Sequence, residues 1–187
     1  MTNEEIRSRL EKTLKNSRLG HSIGVACTAA NLAMCYDVSL ISKAFRAGLL
    51  HDCAKYMKDD ESIEFCDKHD IELSKYEIAE PALIHAKMGV FVAKNDYDEH
   101  DEEILDAIRW HTTGRANMKM LEKIIFVADY IEPFRKILPN LDEIRAKAYK
   151  DLDKCVIMIY ENSISYIREK GRCMGPTTLE AYEYYKK

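Results

Sequence analysis

The stretch Ala47-Gly48-Leu49-Leu50-His51-Asp52-Cys53-Ala54-Lys55 places two adjacent ionisable residues at the end of an apolar helical pattern. An unpaired buried charge is very costly, so His51 and Asp52 need partners inside the fold. A metal ion is one such partner and a structural ion pair is another, and the dipeptide alone leaves both open. We expect Ser39 to cap this helix. Its apolar positions follow the spacing i, i+3, i+4, i+7, i+8 and are Ile41, Ala44, Phe45, Gly48 and Leu49.

Helical periodicity extends over most of the chain, and alternating strand patterns are nearly absent. Pro81 suits the first turn of one helix, and a long C-terminal helix is predicted from about Leu141 to Arg168. The sequence therefore predicts an all-α protein, a compact helical bundle formed by one domain over residues 1–187. The positions that mark the other helices are Ile6, Leu10 and Leu14; Ile23, Ala26, Cys27, Ala30, Ala33 and Met34; Ile84, Met88 and Phe91; Ile104 and Ile108; and Leu121, Ile125 and Ala128.

Composition narrows the class of protein. The net charge is −4 with acidic and basic residues interspersed, which argues against a broad nucleic-acid surface. The uncharged stretch from Leu19 to Tyr36 contains polar residues typical of a core helix and not of a membrane span. None of the six cysteines forms a C-x-x-C pair, and no signal peptide is evident, so we expect small, mostly buried thiols in a reducing, cytoplasmic setting.

Three more histidines and one more aspartate share the apolar helical setting of His51 and Asp52. Each of them alone is more often structural than functional. Six potential metal ligands on apolar helix faces of one domain are harder to explain by structure alone, because side chains on the walls of a bundle converge on its core. The four additional residues are His21, His85, His111 and Asp129.

Two other His-Asp dipeptides differ in their surroundings. His69 follows Cys66-Asp67-Lys68, and His100 lies within Tyr97-Asp98-Glu99-His100-Asp101-Glu102-Glu103. Both are charged clusters, so we expect His69 and His100 to be exposed and to bind no metal.

The order His21, His51-Asp52, His85, His111, Asp129 resembles that of the HD-domain metal-dependent phosphohydrolases. Within them, three segments are similar to the bacterial YqeK family of symmetrical bis(5'-nucleosyl)-tetraphosphatases. The chain departs from that pattern at Phe134, where a small or polar residue is expected before Arg135. The three segments are Gly48-Leu49-Leu50-His51-Asp52-Cys53-Ala54-Lys55, His111-Thr112-Thr113-Gly114-Arg115 and Ala128-Asp129-Tyr130-Ile131-Glu132-Pro133.

The resemblance implies two metal positions in a core of about residues 18–135, with the helices of residues 141–187 packed on it. It assigns His21, His51, Asp52 and Asp129 to the first position and His85 and His111 to the second, with Asp52 bridging. Two metals about 3.5–4 Å apart can activate a water for in-line displacement at phosphorus. Imidazole-rich ligation favours iron, manganese, cobalt, nickel or zinc over magnesium. The resemblance favours iron.

Several cations and polar groups beside these motifs are candidates for substrate binding. Lys55 follows Asp52 by three residues, so on a continuing helix it would lie near the metals and stabilise charge in the transition state. We therefore assign catalytic roles to Asp52 and Lys55. The candidates for phosphate contacts are Lys55, Arg115 and Arg135, the hydroxyl of Thr112, the backbone N–H of Gly114 and, more weakly, Arg18.

The reaction implied by the resemblance is symmetrical hydrolysis of diadenosine tetraphosphate to two ADP. Another HD-domain activity, such as a nucleotidase or a cyclic-nucleotide phosphodiesterase, is an alternative. A second alternative is a non-catalytic nucleotide-binding sensor, although a sensor would not need all six metal ligands. For the reaction that the resemblance implies, the substrate is a dinucleoside polyphosphate. Nucleic acid and membranes are not expected partners, and the sequence leaves open whether the chain forms a homodimer.

Overall fold

A computed structural model describes residues 1–172 and 174–187 and, within them, contains α-helices and no strands. This confirms the predicted all-α class. Short 3-10 turns, Val38–Leu40 and Pro81–Leu83, lead into two of the helices. The helices are α1 (Asn3–Thr13), α2 (Asn16–Tyr36), α3 (Ile41–Leu50), α4 (Asp59–Lys68), α5 (Lys75–Ala79), α6 (Ile84–Tyr97), α7 (Glu102–Trp110), α8 (Met120–Ile131), α9 (Leu141–Ala148), α10 (Leu152–Glu169) and α11 (Pro176–Tyr185).

The centre of the bundle is formed by α2, α3, α7 and α8. Helix α2 packs against α3 and α8, while α7 packs against α3, α6 and α8. Gly48 permits the close approach of α3 to α2, because a Cβ at this position would lie 2.5 Å from the Cα of Ala26. Helices α9 and α10 pack on α8, and α11 packs on α10. The ends of α3 and α7 thereby lie near the starts of α2 and α6 and near the end of α8.

The helix boundaries differ from the predictions at two places. Ser39 does not cap α3: this helix follows Leu40 without a side-chain capping bond, and Asp37 caps the preceding 3-10 turn, where its carboxylate accepts a hydrogen bond from the Ser39 N–H at 3.0 Å. The long C-terminal helix is two helices, α9 and α10, because Tyr149 ends the first and the side chain of Asp151 caps the second. Apolar periodicity continues across this break, so it could not reveal the cap.

The cysteines are distributed between core and surface. Cys53, Cys66 and Cys155 are buried free thiols, as expected, whereas Cys27 and Cys35 on α2 are exposed. The expectation for Cys173 lies outside the described residues. Within the described part of the chain, no helix has the length and apolar character needed to cross a membrane.

Candidate metal centre

The six predicted ligands come together from five helices. His21 lies on α2, His51 and Asp52 directly follow α3, and the other three lie on or next to α6, α7 and α8. All are buried except Asp129, whose side chain is 20% exposed. Each histidine is fixed by the bundle and not by a free loop, so the site is built by helix packing. The remaining ligands are His85, His111 and Asp129.

The outer nitrogen of every one of these imidazoles already has a hydrogen-bond acceptor. Nδ1 of His51, His85 and His111 lies 2.6–2.7 Å from the main-chain carbonyl oxygen three residues earlier in each case. Nδ1 of His21 lies 3.1 Å from Oε1 of Glu132. A carbonyl oxygen only accepts, so Nδ1 of His51 and of His111 carries the proton. Nε2 is left as the nitrogen that faces the centre.

The Nε2 atoms converge in two pairs. Nε2 of His85 and Nε2 of His111 are 3.0 Å apart, and those of His21 and His51 are 3.3 Å apart. In neutral imidazoles held through Nδ1–H, these atoms present lone pairs to each other, which is unfavourable without a cation between them. Two donors about 2.1 Å from a common ion and at right angles stand about 3.0 Å apart. The arrangement therefore fits metal ions.

Asp52 lies between the two pairs and divides its oxygens between them. Oδ1 is 3.3 Å from Nε2 of His85 and 3.7 Å from Nε2 of His111. Oδ2 is 3.5 Å from Nε2 of His51 and 3.9 Å from Nε2 of His21. A carboxylate with one oxygen toward each histidine pair has the geometry of a bridging ligand.

Asp129 completes the first histidine pair. Its Oδ1 lies 3.0 Å from Nε2 of His21 and 3.9 Å from Nε2 of His51. Burial alone would raise the pKa of Asp129, but the contact with the His21 imidazole and nearby positive charge hold it below its usual range. Asp129 is thus an anionic donor.

The same electrostatics act on the histidines. Burial lowers the pKa of His51 to about 4 and also lowers that of His85, so both imidazoles are neutral, as metal ligation requires. Burial would lower the pKa of His21 as well, but Asp129 and Glu132 outweigh it and raise the pKa. Positive charge is therefore favoured at His21, beside the two carboxylates, and disfavoured at His51 and His85.

Four of the predicted substrate-binding side chains surround the centre. Nζ of Lys55 lies 2.8 Å from Nδ1 of His85, although Lys55 follows a series of turns and not the continuing helix that was expected. The hydroxyl of Thr112 lies 3.1 Å from Nε2 of His111. An Nη1 atom of Arg18 donates to Oδ2 of Asp52 at 2.6 Å, and Nη1 of Arg135 lies 3.9 Å from Oδ1 of Asp129.

Arg115 and Gly114 have other partners. Arg115 donates from Nε and Nη2 to the buried carboxylate of Glu122, at 2.6 and 2.7 Å. This bidentate pair occupies the Nε/Nη2 edge of the guanidinium, one of the two edges that could bind a phosphate. The N–H of Gly114 donates to the carbonyl of Trp110 at 2.8 Å, so it is not the free donor that was predicted.

The other two His-Asp dipeptides lie outside the cluster. His100 is exposed and lies 2.9 Å from Asp98. His69 is only half-buried and packs against Phe65 and Phe91 at ring-centroid distances of 4.4 Å, so the expectation that it is exposed was wrong.

Sequence reasoning gave no role to Glu132, which is 1% exposed and accepts hydrogen bonds through both oxygens. The available signal was its position three residues after Asp129, directly after α8 and within the segment Ala128-Asp129-Tyr130-Ile131-Glu132-Pro133.

Comparison with known proteins gives the family of the chain. The HD-domain profile matches residues 18–133, which include every candidate ligand. The chain belongs to the HD-domain family. The "Bis(5'-nucleosyl)-tetraphosphatase, symmetrical" of Bacillus subtilis is 34% identical to this HD-domain protein over 98% of this chain and 97% of its own length.

Two further relatives extend over the whole chain. The protein of the same description from Staphylococcus aureus is 36% identical over 99% of this chain and 95% of its own. A crystal structure described as a predicted HD superfamily hydrolase involved in NAD metabolism, from Clostridium acetobutylicum, superimposes with a TM-score of 0.94. It is 40% identical and covers 100% of this chain and 97% of that one. At this identity and coverage, the chain is also a member of the symmetrical bis(5'-nucleosyl)-tetraphosphatase family within the HD-domain proteins.

Proposed function

We propose that this HD-domain protein hydrolyses diadenosine tetraphosphate symmetrically to two molecules of ADP. The observation that carries the proposal is Asp52, whose two oxygens face two separate pairs of histidine nitrogens. That arrangement suits a two-metal phosphohydrolase, and the relatives from Bacillus subtilis and Staphylococcus aureus carry the name of this activity.

Our assignment of the metal ligands is supported by the two pairs of converging Nε2 atoms. His21, His51, Asp52 and Asp129 would hold one divalent ion, and His85, His111 and Asp52 a second. When bound, the two ions would activate water and neutralise charge at the reacting phosphate. Iron is our preferred metal, because the resemblance to the family favours it, and manganese, cobalt, nickel and zinc also suit an imidazole-rich site.

The phosphate chain needs cations beyond the metals. Lys55, beside the second histidine pair, is placed to contact the phosphoryl group that reacts. Arg18 and Arg135, beside the first pair, are placed to bind the phosphates farther along the chain, and the Thr112 hydroxyl offers a further hydrogen bond. Arg115 and Gly114 keep only a supporting role in our proposal, because Glu122 and Trp110 already occupy their donors.

In the proposed reaction, water attacks the second phosphorus from one adenosine. The bond from this phosphorus to the oxygen that it shares with the third phosphorus breaks, and that oxygen leaves with the other ADP. Lys55 would stabilise the negative charge that develops on the reacting phosphate.

Product analysis in water labelled with oxygen-18 tests the proposal. The expected products are two ADP, with one labelled oxygen in the β-phosphate of half of the molecules. AMP plus ATP would contradict symmetrical cleavage. NAD, a dinucleotide with a shorter phosphate bridge, belongs in the same assay because of the crystallographic relative's description, together with AMP and cyclic AMP for the alternative HD-domain activities. Binding of all these nucleotides without turnover would instead indicate a sensor.

A further inference from the structure

Glu132 is a buried carboxylate that joins the first histidine pair to the loop after α8. Its Oε1 lies 3.1 Å from Nδ1 of His21, and its Oε2 accepts the N–H of Phe134 at 2.7 Å. An ionised carboxylate only accepts hydrogen bonds, so it satisfies both donors at once. The backbone carbonyl of Glu132 in turn accepts a hydrogen bond from Arg145 at 2.9 Å, which fixes the end of α8.

This contact distinguishes His21 from the other three histidines of the centre. Their Nδ1 atoms face neutral main-chain carbonyls, whereas that of His21 faces a carboxylate. A carboxylate partner fixes the tautomer of a ligating histidine and makes its other nitrogen a stronger donor. At the first metal position, one histidine is therefore held by a carboxylate, whereas both histidines of the second position face main-chain carbonyls through Nδ1.

Gly24 provides the space in which this carboxylate lies. It is three residues after His21, on the same face of α2, and is buried. A Cβ at Gly24 would lie 2.6 Å from Oε2 of Glu132 and 3.4 Å from the ring of Phe134. Glycine within a helix lowers stability relative to alanine, because it loses more backbone freedom on folding. The glycine is thus a second, independent sign that the position of the carboxylate matters.

We propose that Glu132 is a positioning residue that holds His21 with Nε2 toward the first metal position, and that Gly24 provides the clearance for it. This inference rests on the proposed metal centre and concerns affinity at the first position, not the second. Glu132→Gln supplies only one oxygen for two N–H donors, so either His21 or Phe134 N–H then faces an amide NH₂ group.

Titration of the metal-free protein with Mn²⁺, followed by calorimetry and elemental analysis, tests the proposal. We expect two sites in the wild type and a loss of about tenfold to a hundredfold in affinity at one of them in Glu132→Gln. Gly24→Ala should show the same selective loss without removing the carboxylate. Gly20→Ala is the matched control, because Gly20 lies on the same helix and a Cβ there would meet nothing within 4 Å. Both Mn²⁺ affinities should stay unchanged in this variant.

A double-mutant cycle separates positioning from general structural support. In a His21→Ala background, Glu132→Gln should cause no further loss of Mn²⁺ affinity, because no imidazole remains to be oriented. In a His85→Ala background, which retains the first position, the loss should persist. Nitrogen-15 NMR of the metal-free wild type should show His21 protonated at Nδ1, and Glu132→Gln should change that signal.

Three results would overturn the inference: equal losses at both positions, unchanged affinities in Glu132→Gln, or a persistent effect in the His21→Ala background. If Glu132→Gln does not fold, the comparison of Gly24→Ala with Gly20→Ala decides the question by the same criterion. The proposed function is tested separately. If the wild type binds two Mn²⁺ and the variants lose affinity at one site only, but diadenosine tetraphosphate stays intact, the proposed function is refuted and this inference stands.

Discussion

Lys55 lies at the junction between the metal ligands and the substrate space. Its ammonium is 2.8 Å from Nδ1 of His85 and 3.4 Å from the carbonyl of Ala82, and burial lowers its pKa. Lys55 thus contacts the proposed ligand His85 but is not one of the six proposed metal ligands. A role in charge stabilisation predicts a loss of rate with little loss of metal.

Lys55→Ala should therefore keep two bound metals and lower kcat/KM for diadenosine tetraphosphate by roughly tenfold to a thousandfold. Steady-state kinetics with metal analysis of the same sample measures both quantities. Lys58→Ala, three residues farther along and exposed, is the control and should retain wild-type kinetics. Wild-type turnover in Lys55→Ala would remove this lysine from the proposed site.

Gly114 shows how one residue holds the turn that carries Thr112. Its φ is +60°, and a Cβ there would lie 1.9 Å from the hydroxyl of Tyr160. Gly171 also has a positive φ, of +66°, but a Cβ there meets nothing within 4 Å. The two glycines separate the cost of the left-handed backbone from the cost of the steric clash.

Gly171→Ala should lower the free energy of unfolding by about 1–2 kcal/mol, the cost of left-handed backbone alone. Gly114→Ala should lower it further, by about another 1–3 kcal/mol for overpacking. Adding Tyr160→Phe to Gly114→Ala removes the clashing oxygen and should restore part of the loss. Urea denaturation measures all three, and equal losses at both glycines would show that the clash is relieved without cost.

At the scale of elements, the last helix holds the loop that leads away from His111. Tyr185 on α11 accepts the N–H of Met118 at 2.8 Å, and Tyr184 donates to Oδ1 of Asn117 at 3.1 Å. Met118 is buried, whereas Tyr184 is 43% exposed. Helix α11 lies beyond the matched HD-domain segment, which ends at residue 133, yet it fastens the segment that carries Thr112.

Tyr185→Phe should leave the buried N–H of Met118 without its acceptor and lower stability by about 1–3 kcal/mol. Because the loop carries Thr112 and not a metal ligand between residues 112 and 118, we expect a higher KM with unchanged metal content. Tyr184→Phe removes a hydrogen bond at the surface and is the neighbouring control. A variant Tyr185→Phe with native stability and KM would show that α11 does not position this loop.

Periodicity was sufficient to predict the elements that carry the ligands, because each of them buries an apolar face. It did not predict α4, whose sequence Asp59–Lys68 is mostly charged, or α11, which is rich in tyrosine. Helix α4 is capped by the Glu61 carboxylate, which accepts the N–H of Lys58, and it packs on α6. Helix α11 begins at Pro176 without a side-chain cap and packs on α10. Arg115 was assigned to phosphate from its place in a motif, whereas its pairing with Glu122 depends on the path of the loop between α7 and α8, which a local pattern does not contain.

At the scale of the whole molecule, the bundle concentrates anionic donors in its interior. Asp52 and Glu132 are buried and Asp129 is mostly so, while the net charge of the chain is only −4. Without metal, the compensating charge comes from Arg18 and Arg135, which lie 2.6 Å from Asp52 and 3.9 Å from Asp129. Bound metal ions would supply further compensating charge. Their ligands come from five helices and converge only in the folded chain, so metal binding and folding should be thermodynamically linked.

Adding Mn²⁺ to metal-free protein should therefore raise the Tm. At a free metal concentration one hundred times Kd, linkage gives about 2.7 kcal/mol of stabilisation. At roughly 2–4 °C per kcal/mol for a chain of this length, the Tm should rise by about 5–10 °C. Asp52→Ala removes the bridging carboxylate and should lose most of this shift, whereas His100→Ala, in an exposed His-Asp dipeptide, should keep it. If no shift follows from Mn²⁺, Fe²⁺ or Zn²⁺ in the wild type, the converging Nε2 atoms do not form a metal centre, and the lone pairs that face each other must be separated by protons instead.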